Sequence, residues 1–178
     1  MSEPIELHEA DPNWPAAFAA ERGLIAPLFP VPPLLIEHMG STAIPGLPAK
    51  PIIDIIVLVD DLEAARPALP ALEATGYSFW AANPDKSKFY LAKGLPPAPH
   101  RTHHLHIHAD EAEVRRHLIF RDHLRANPQA VADYLSLKAD LATRFRDDRE
   151  AYSRGKTAFI DTLVDRLGGP ARAVPWNA

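Results

Sequence analysis

One segment, residues 34–59, limits what this chain can fold into more than any other. It reads LLIEHMGSTAIPGLPAKPIIDIIVLV and joins two apolar runs through a loop of small residues. The first run, Leu34 to Met39, predicts a strand that Gly40-Ser41 ends, and the second run, Pro51 to Val59, predicts another strand. Asp54 lies inside the second run. Because an unpaired buried carboxylate is costly, Asp54 marks either a satisfied structural site or the base of an active site.

The Gly-Ser bend favours the active-site alternative. Glycine lets the backbone approach a ligand closely, and amides and hydroxyls that follow a strand can bind phosphate oxygens. The combination of a strand, Gly40-Ser41, a spacer and a strand that carries Asp54 resembles the signature of nucleotidyltransferases. That resemblance implies that Gly40 and Ser41 hold the phosphates of a nucleotide and that Asp54 binds a divalent metal ion.

A more specific resemblance covers nearly the whole chain. The sequence HMGSTAIPGLPAKPIIDIIV closely resembles the GrpB-like family, as do DPNWPAAF, RTHHLHIH and HLIFRDHLRANP. This family of small bacterial proteins has the nucleotidyltransferase fold and is related to a domain attached to some dephospho-coenzyme A kinases. The resemblance implies an α+β fold, a nucleotidyltransferase-like mixed sheet flanked by helices, with a helical C-terminal part over residues 112–168. The length of 178 residues predicts one domain over 1–178.

Composition narrows the classes of partner. The net charge of -4 gives no basis for general nucleic-acid binding or for attraction to an anionic membrane surface. The absence of cysteine excludes disulfides, thiolate metal sites and cysteine nucleophiles. The first residues lack the features of a signal peptide, and no stretch approaches the roughly 20 apolar residues that cross a bilayer. We therefore expect a cytoplasmic protein that does not interact with membranes.

The chain departs from the nucleotidyltransferase pattern at one position. The second acid that usually follows two residues after the first is replaced by Ile56. The later run RTHHLHIH predicts a strand whose alternation places His104 and His106 on one face. Imidazole coordinates divalent metals, so we hypothesise a metal site formed by Asp54, His104 and His106. Magnesium, manganese and zinc are the candidate ions, and histidine ligands favour manganese or zinc over magnesium.

Basic residues supply candidate contacts to the nucleotide. His38 either faces the nucleotide or simply ends its strand. Lys50 either neutralises phosphate charge in catalysis or is solvated at a strand end. Arg121 lies in a basic stripe on the helix predicted from Ala112, which is either a solvated face or a phosphate-binding one. Lys138 and Lys156 interrupt apolar stripes of the last two predicted helices, where they either extend to solvent or present ammonium groups to a triphosphate.

Three functions are compatible with these patterns. The first is a metal-dependent nucleotidyltransferase that moves a nucleotidyl group from a nucleoside triphosphate to an unknown acceptor, with Asp54 and Lys50 as catalytic residues. The second is a module that binds a nucleotide or a coenzyme-like ligand without catalysis, which the replacement at Ile56 favours. The third, hydrolysis at a transition metal held by histidines, ranks lower because the chain lacks a His-Glu-x-x-His pattern.

Overall fold

The computed structural model describes residues 5–98 and 100–172 of the chain. The predicted domain over 1–178 extends beyond these residues at 1–4, 99 and 173–178. Five strands form the sheet: β1 Leu35–Met39, β2 Ile53–Leu58, β3 Tyr77–Phe79, β4 Lys88–Lys93 and β5 His103–His108. The α-helices are α1 Trp14–Ile25, α2 Leu62–Ala65, α3 Leu69–Ala74, α4 Glu111–Ala126, α5 Pro128–Arg144, α6 Arg149–Gly155 and α7 Thr157–Arg166.

The sheet is mixed, with the strand order β1-β2-β5-β4-β3. β2 runs parallel to β5, and the other neighbouring pairs are antiparallel. β3 and β4 follow each other in the chain and pair as an antiparallel hairpin. A mixed sheet flanked by helices is the fold expected from the sequence, and the α+β prediction is confirmed.

One face of the sheet packs against the first three helices and forms the main core. Alternate residues of the central strands point to this face, including Ile55, Val57, Leu105 and Ile107, all with essentially no exposed surface. The period of two along a strand explains why these positions are apolar. The face therefore has no room for a ligand along most of its length.

The opposite face is covered only in part. Ile56 and Leu58 pack against Val114 of α4 near one end of the sheet. Toward the other end, the loop that follows β1 packs against α4 and α5 through Leu47, Leu124 and their neighbours. The polar residues of β2 and β5 lie between these two apolar clusters on the same sheet face.

The C-terminal part is helical as predicted, but the last of the predicted helices, the one that contains Lys156, is interrupted. α6 ends at Gly155 and α7 begins at Thr157, so Lys156 lies in the break. Gly155 packs so closely on Leu141 that an added Cβ would lie 2.5 Å from a Leu141 methyl carbon. Glycine is also a poor residue for a helix interior, which explains where the two helices separate. Across the described ranges, no helix has the length and apolarity needed to cross a membrane.

Candidate functional site

The polar residues of β2 and β5 lie side by side because the two strands are parallel and in register. Asp54 pairs with His104, and Ile56 pairs with His106. On the other side of β2, Met39 pairs with Asp54, so the end of β1 lies at the same level. Residues paired across a sheet point to the same face. The register therefore brings the predicted carboxylate and both predicted imidazoles together.

A hydrogen bond joins Asp54 to His104. The distance from His104 Nδ1 to Asp54 Oδ1 is 3.0 Å. Since the ionised carboxylate can only accept, Nδ1 donates the proton of this hydrogen bond. His104 Nε2 is buried and has no hydrogen-bond partner among the described residues.

The third ligand candidate is His106, which completes a compact group with Asp54 and His104. One potential ligand atom from each residue lies within 4.8 Å of the other two. Burial lowers the pKa of His106 well below 6.5, so its imidazole is neutral at neutral pH. Burial would raise the pKa of Asp54, but the hydrogen bond from His104 and the charges of the histidines and Lys50 hold it at about 2. The carboxylate of Asp54 and the imidazole of His106 are therefore in the protonation states that metal binding requires.

The position of the missing acid is filled by core packing. Ile56 has no exposed surface and contacts the apolar cluster that contains Met39, Leu58 and Val114. His106, its register partner on β5, stands beside it on the same face. A carboxylate at position 56 would be buried among apolar side chains, whereas an imidazole on the neighbouring strand reaches the cluster around Asp54.

The Gly-Ser bend lies directly against this cluster. Gly40 has a φ of 70°, a conformation that residues with a side chain rarely adopt. A Cβ at this position would lie 2.4 Å from Asp54 Oδ2. Glycine is therefore needed here both for its backbone conformation and for its close approach to the carboxylate. Ser41 follows at the start of a short 3-10 turn, within reach of the buried Tyr134 hydroxyl.

Three lysines from three different elements converge near Asp54. The ammonium nitrogens of Lys50 and Lys156 lie 5.3 and 4.4 Å from the centre of the Tyr152 ring. Lys138 is almost fully buried, and its Nζ donates to the carbonyl of Pro48 at 2.5 Å. We refer to Lys50, Lys138 and Lys156 as the lysine cluster.

The lysine cluster carries an excess of positive charge. Burial, followed by the charges of Lys156 and Lys50, lowers the pKa of Lys138 to about 7. Burial and Lys50 lower the pKa of Lys156 to about 8. Within the described part of the chain, Asp54 is the carboxylate whose charge opposes both of these shifts. Mutually repelling ammonium groups beside a single carboxylate form a site suited to a polyanion.

His38 lies away from this group. Its register partner is Ile55, so it points to the sheet face opposite Asp54 and stacks on Phe18 of α1 at 4.9 Å between ring centres. Its Nε2 lies 2.9 Å from the Thr42 hydroxyl, and the side chain is buried. Burial also lowers the pKa of His38 to about 4. The structure therefore gives His38 packing contacts in place of the nucleotide contact expected from its position before Gly40.

Arg121 is close to the bend but already has partners. Its Nη1 donates to Glu37 at 2.7 Å and to the His38 carbonyl at 2.9 Å, and its Nε donates to Asp122 at 2.7 Å. These contacts tie α4 to the end of β1. The guanidinium charge is thus balanced by protein carboxylates, which favours a role in positioning the bend.

Several residues of the site were not assigned from the sequence. Tyr152 lies between two of the lysines, and Tyr90 of β4 contacts the rings of His104 and His106 at 5.5 and 5.0 Å between centres. Aromatic residues in apolar patterns are ordinarily core residues. The one usable signal was the pairing of β4 with β5, since a hairpin beside the histidine strand places alternate residues on the same face.

Comparison with known proteins extends these observations. The profile of the GrpB protein family matches residues 4–166. A UPF0157 protein of Pseudomonas aeruginosa is 46% identical over 170 residues, which are 95% of this chain and 68% of that protein. A dephospho-CoA kinase of Mycolicibacterium paratuberculosis is 33% identical over 197 residues, covering 98% of this chain. This chain spans about half the length of that kinase, since the match covers 48% of it.

Two solved structures share the fold. The crystal structure of the conserved protein GrpB from Enterococcus faecalis matches with a TM-score of 0.80 at 36% identity, covering 90% of this chain and 96% of that one. The structure of Cid1 in complex with its short product ApU matches with a TM-score of 0.54 at 16% identity, covering 78% of this chain and 43% of that one. Cid1 has a nucleotidyltransferase fold, and at this identity the likeness concerns the fold alone.

Proposed function

This chain belongs to the GrpB family, and from that membership and the geometry of the site we propose that it is a metal-dependent, nucleotidyltransferase-like protein. In this proposal it binds a nucleoside triphosphate and transfers the nucleotidyl group to an acceptor. The observation that carries the proposal is the convergence of a metal-ligand group, Asp54, His104 and His106, with the lysine cluster. One group suits a cation and the other suits a polyphosphate.

The residues present fit a divalent metal ion. Asp54 offers a carboxylate oxygen, His104 and His106 each offer a ring nitrogen, and burial keeps the pKa of His106 well below 6.5. A set of two imidazoles and one carboxylate favours manganese, zinc or another transition ion over magnesium, which prefers oxygen ligands. When bound, such an ion would supply Lewis-acid polarisation of the α-phosphate.

The remaining residues would bind and orient the triphosphate. Lys50, Lys138 and Lys156 would neutralise the β- and γ-phosphates, and the loss of repulsion among the three ammonium groups would favour binding. The Ser41 hydroxyl and the backbone of Gly40, which has no side chain to block it, would contact the phosphate closest to Asp54. Transfer would form a bond from the acceptor oxygen to the α-phosphorus and break the bond to pyrophosphate, which leaves, while the proton of the acceptor hydroxyl passes to water. Positioning and charge neutralisation would supply most of the acceleration.

A specific observation also favours the second function, binding without transfer. The second strand acid of active nucleotidyltransferases is absent, and Ile56 fills its place with tight apolar packing. A site with one strand carboxylate retains the ability to bind a metal and a nucleotide. The likeness to dephospho-CoA kinases extends the range of ligands in this alternative to coenzyme-like nucleotides.

The first experiment measures metal binding by calorimetry on the wild type and on His106→Asn. We expect manganese and zinc affinity to fall by at least about tenfold in the variant, because one ligand is lost. His117→Asn is the matched control, since His117 is a half-exposed histidine on α4 that pairs with Glu113. Equal metal affinity in wild type and His106→Asn would remove the metal site from the proposal.

The second experiment separates the two functions. Nucleoside triphosphates are added with manganese, magnesium or zinc and with mixed metabolite acceptors, and pyrophosphate release is followed. Release that requires metal and disappears in Asp54→Asn supports transfer. Triphosphate binding without release under every metal assigns the chain to the binding module, and absence of triphosphate binding refutes transfer from a nucleoside triphosphate.

A further inference from the structure

Two aromatic residues extend the sheet face that carries the metal-ligand group. The register from β2 across β5 and β4 places Ile56, His106 and Tyr90 in one row. The backbone N–H of Trp80, just after β3, donates to the carbonyl of Tyr90 at 3.0 Å and continues that row to the edge strand. Trp80 therefore lies on the same sheet face as Asp54.

The aromatic contacts connect Trp80 with the metal-ligand group. The Trp80 and Tyr90 rings meet edge to face at 6.1 Å between centres, and Tyr90 meets His106 at 5.0 Å. Yet Trp80 remains 50% exposed, one of the large apolar side chains that the described fold leaves open to solvent. An indole held in place on one side and open on the other is a preformed surface for a flat ligand.

The neighbouring row of the sheet carries smaller side chains. At the level of Asp54 and His104, β4 and β3 present the small side chains of Ala92 and Ser78. Large aromatic residues thus flank a row of small ones between the metal-ligand group and the edge of the sheet. Ala92 is buried and Ser78 is exposed, so a ligand beside Trp80 would contact this row at Ser78.

Trp80 lies at a distance from the strand that carries Asp54. Lys50 precedes β2, and its charge acts on Asp54, whereas Trp80 lies three strands away from β2 in the sheet order. Three strand spacings amount to roughly 14 Å. Trp80 therefore lies at the edge of the sheet, beyond the metal ligands of β2 and β5 and beside Tyr90, on which the charges of Arg101 and Arg149 act.

We infer that Trp80, supported by Tyr90, is the stacking platform for the nucleobase of the bound triphosphate. This inference rests on the function proposed above and adds the orientation of the substrate to it. A nucleoside triphosphate carries its base at the end remote from the γ-phosphate, so a base stacked on Trp80 would leave the phosphates toward the metal ligands and the lysine cluster. Stacking is tolerant of sequence because every base has a π-face, and the larger purines gain more from it.

Calorimetry in the presence of manganese tests this inference with inorganic triphosphate, ATP and UTP as ligands. We expect the wild type to bind ATP more tightly than UTP and UTP more tightly than inorganic triphosphate. Trp80→Ala should weaken ATP binding by about tenfold and leave inorganic triphosphate binding unchanged. Trp80→Phe should retain most of the ATP affinity, because an aromatic face remains.

Two controls make the outcomes distinct. Leu34→Ala removes another exposed apolar side chain, at the opposite edge of the sheet, and should leave all three affinities unchanged. If inorganic triphosphate binds and ATP binds equally to the wild type and Trp80→Ala, the stacking platform is refuted and the proposed function stands. If neither inorganic triphosphate nor ATP binds to the wild type, the proposed function itself fails.

Discussion

Both faces of the sheet carry a carboxylate beside an imidazole of β5, and the two differ in what surrounds the carboxylate. On the core face, Glu21 of α1 accepts from Lys93 at 2.9 and 3.0 Å and lies 3.8 Å from His103. On the other face, Asp54 accepts from His104. Neighbouring residues of one strand thus take part in two different polar groups.

The difference is one of charge balance and access. Glu21 and Lys93 neutralise each other, and the Glu21 side chain is only 8% exposed. Asp54 faces the three ammonium groups of the lysine cluster, and its side chain is 29% exposed. A balanced, closed pair stabilises the fold, whereas an unbalanced, open group gains from a bound ligand. This contrast is why we assign function to one face and structure to the other.

Neutralising each carboxylate in turn tests most directly whether Asp54 and Glu21 have different roles. Asp54→Asn should lower manganese affinity by at least about 100-fold, because the charged ligand is lost. Glu21→Gln should leave manganese affinity unchanged and lower the free energy of unfolding by about 1 to 3 kcal/mol, because it leaves the Lys93 ammonium without its charged partner. Calorimetry and denaturant unfolding with and without manganese measure both effects.

The same measurements show how the distinction would fail. Loss of manganese binding in Glu21→Gln would mean that the two faces form one functional unit. A manganese affinity that survives in Asp54→Asn would make Asp54 a structural partner of His104.

Two glycines with similar backbone conformations, Gly40 and Gly46, differ in whether they contact Asp54. Gly40 and Gly46 have φ values of 70° and 74°, so alanine at either position costs roughly 1 to 2 kcal/mol of backbone strain. Only at Gly40 does the added Cβ meet Asp54, at 2.4 Å from Oδ2, whereas nothing lies within 4 Å at Gly46. We expect Gly40→Ala to lower manganese affinity by about 10- to 100-fold, as a displaced ligand does. Gly46→Ala should lower stability alone, and equal manganese affinities in the two variants would contradict the role of Gly40.

The sequence was sufficient to predict, for a physical reason, that His104 and His106 share a sheet face and that Asp54 has a polar partner. A strand has a period of two, so His104 and His106 had to share a face, and a carboxylate inside an apolar strand had to have a partner. Parallel pairing of β2 and β5 then brought Asp54 level with His104. The same periodicity and the length of the apolar runs explain why the strands and the α+β class were predictable.

The orientation of His38, the partners of Arg121 and the helix break at Lys156 depend on strand register and tertiary packing, which cannot be read from the sequence. The alternation of a strand places Glu37 and His38 on opposite faces of the sheet, but it does not indicate which of the two faces α1. The pairing of His38 with Ile55 places His38 on the core face. The partners of Arg121 come from β1, more than eighty residues earlier in the chain. The break at Lys156 results from the contact of Gly155 with Leu141, which belongs to another helix.

The lysine cluster predicts a pH dependence that the core-face lysine does not share. Polyanion binding favours the ammonium form, and Lys138 and Lys156 have pKa values of about 7 and 8 without ligand. As the pH rises through these values, binding must take up the protons that the lysines have lost, so triphosphate affinity falls. We expect a fall of up to about tenfold for each group per pH unit between pH 7 and 9. Lys138→Met should make the profile shallower, and Lys93→Met should leave its shape unchanged.

The profile is measured by calorimetry with inorganic triphosphate in buffers that span pH 6 to 9. The histidine ligand His106 adds no opposing slope in this range, because its imidazole is already neutral. A profile for Lys138→Met that matches the wild type would show that Lys138 does not contact the phosphates.

The smallest effect on binding is expected from His38, which belongs to the core face despite its position before Gly40. His38→Phe keeps the ring that stacks on Phe18 and removes the hydrogen bond to Thr42, which should lower the free energy of unfolding by about 1 kcal/mol. Manganese and triphosphate affinities should stay within about twofold of the wild type, a difference of roughly 0.4 kcal/mol.

His38 also leaves a signature in the pH dependence of stability. The pKa of His38 is about 4 in the folded chain, below the usual 6.5. Between pH 4 and 6.5, His38 is therefore protonated in the unfolded chain and neutral in the folded chain. The stability that a neutral His38 contributes is complete above about pH 6.5 and is lost as the pH falls toward 4. Denaturant unfolding across this range should show a shallower loss in His38→Phe than in the wild type. A lowered triphosphate affinity in that variant would instead place His38 among the ligand contacts and erase the division between the two faces at the Gly-Ser bend.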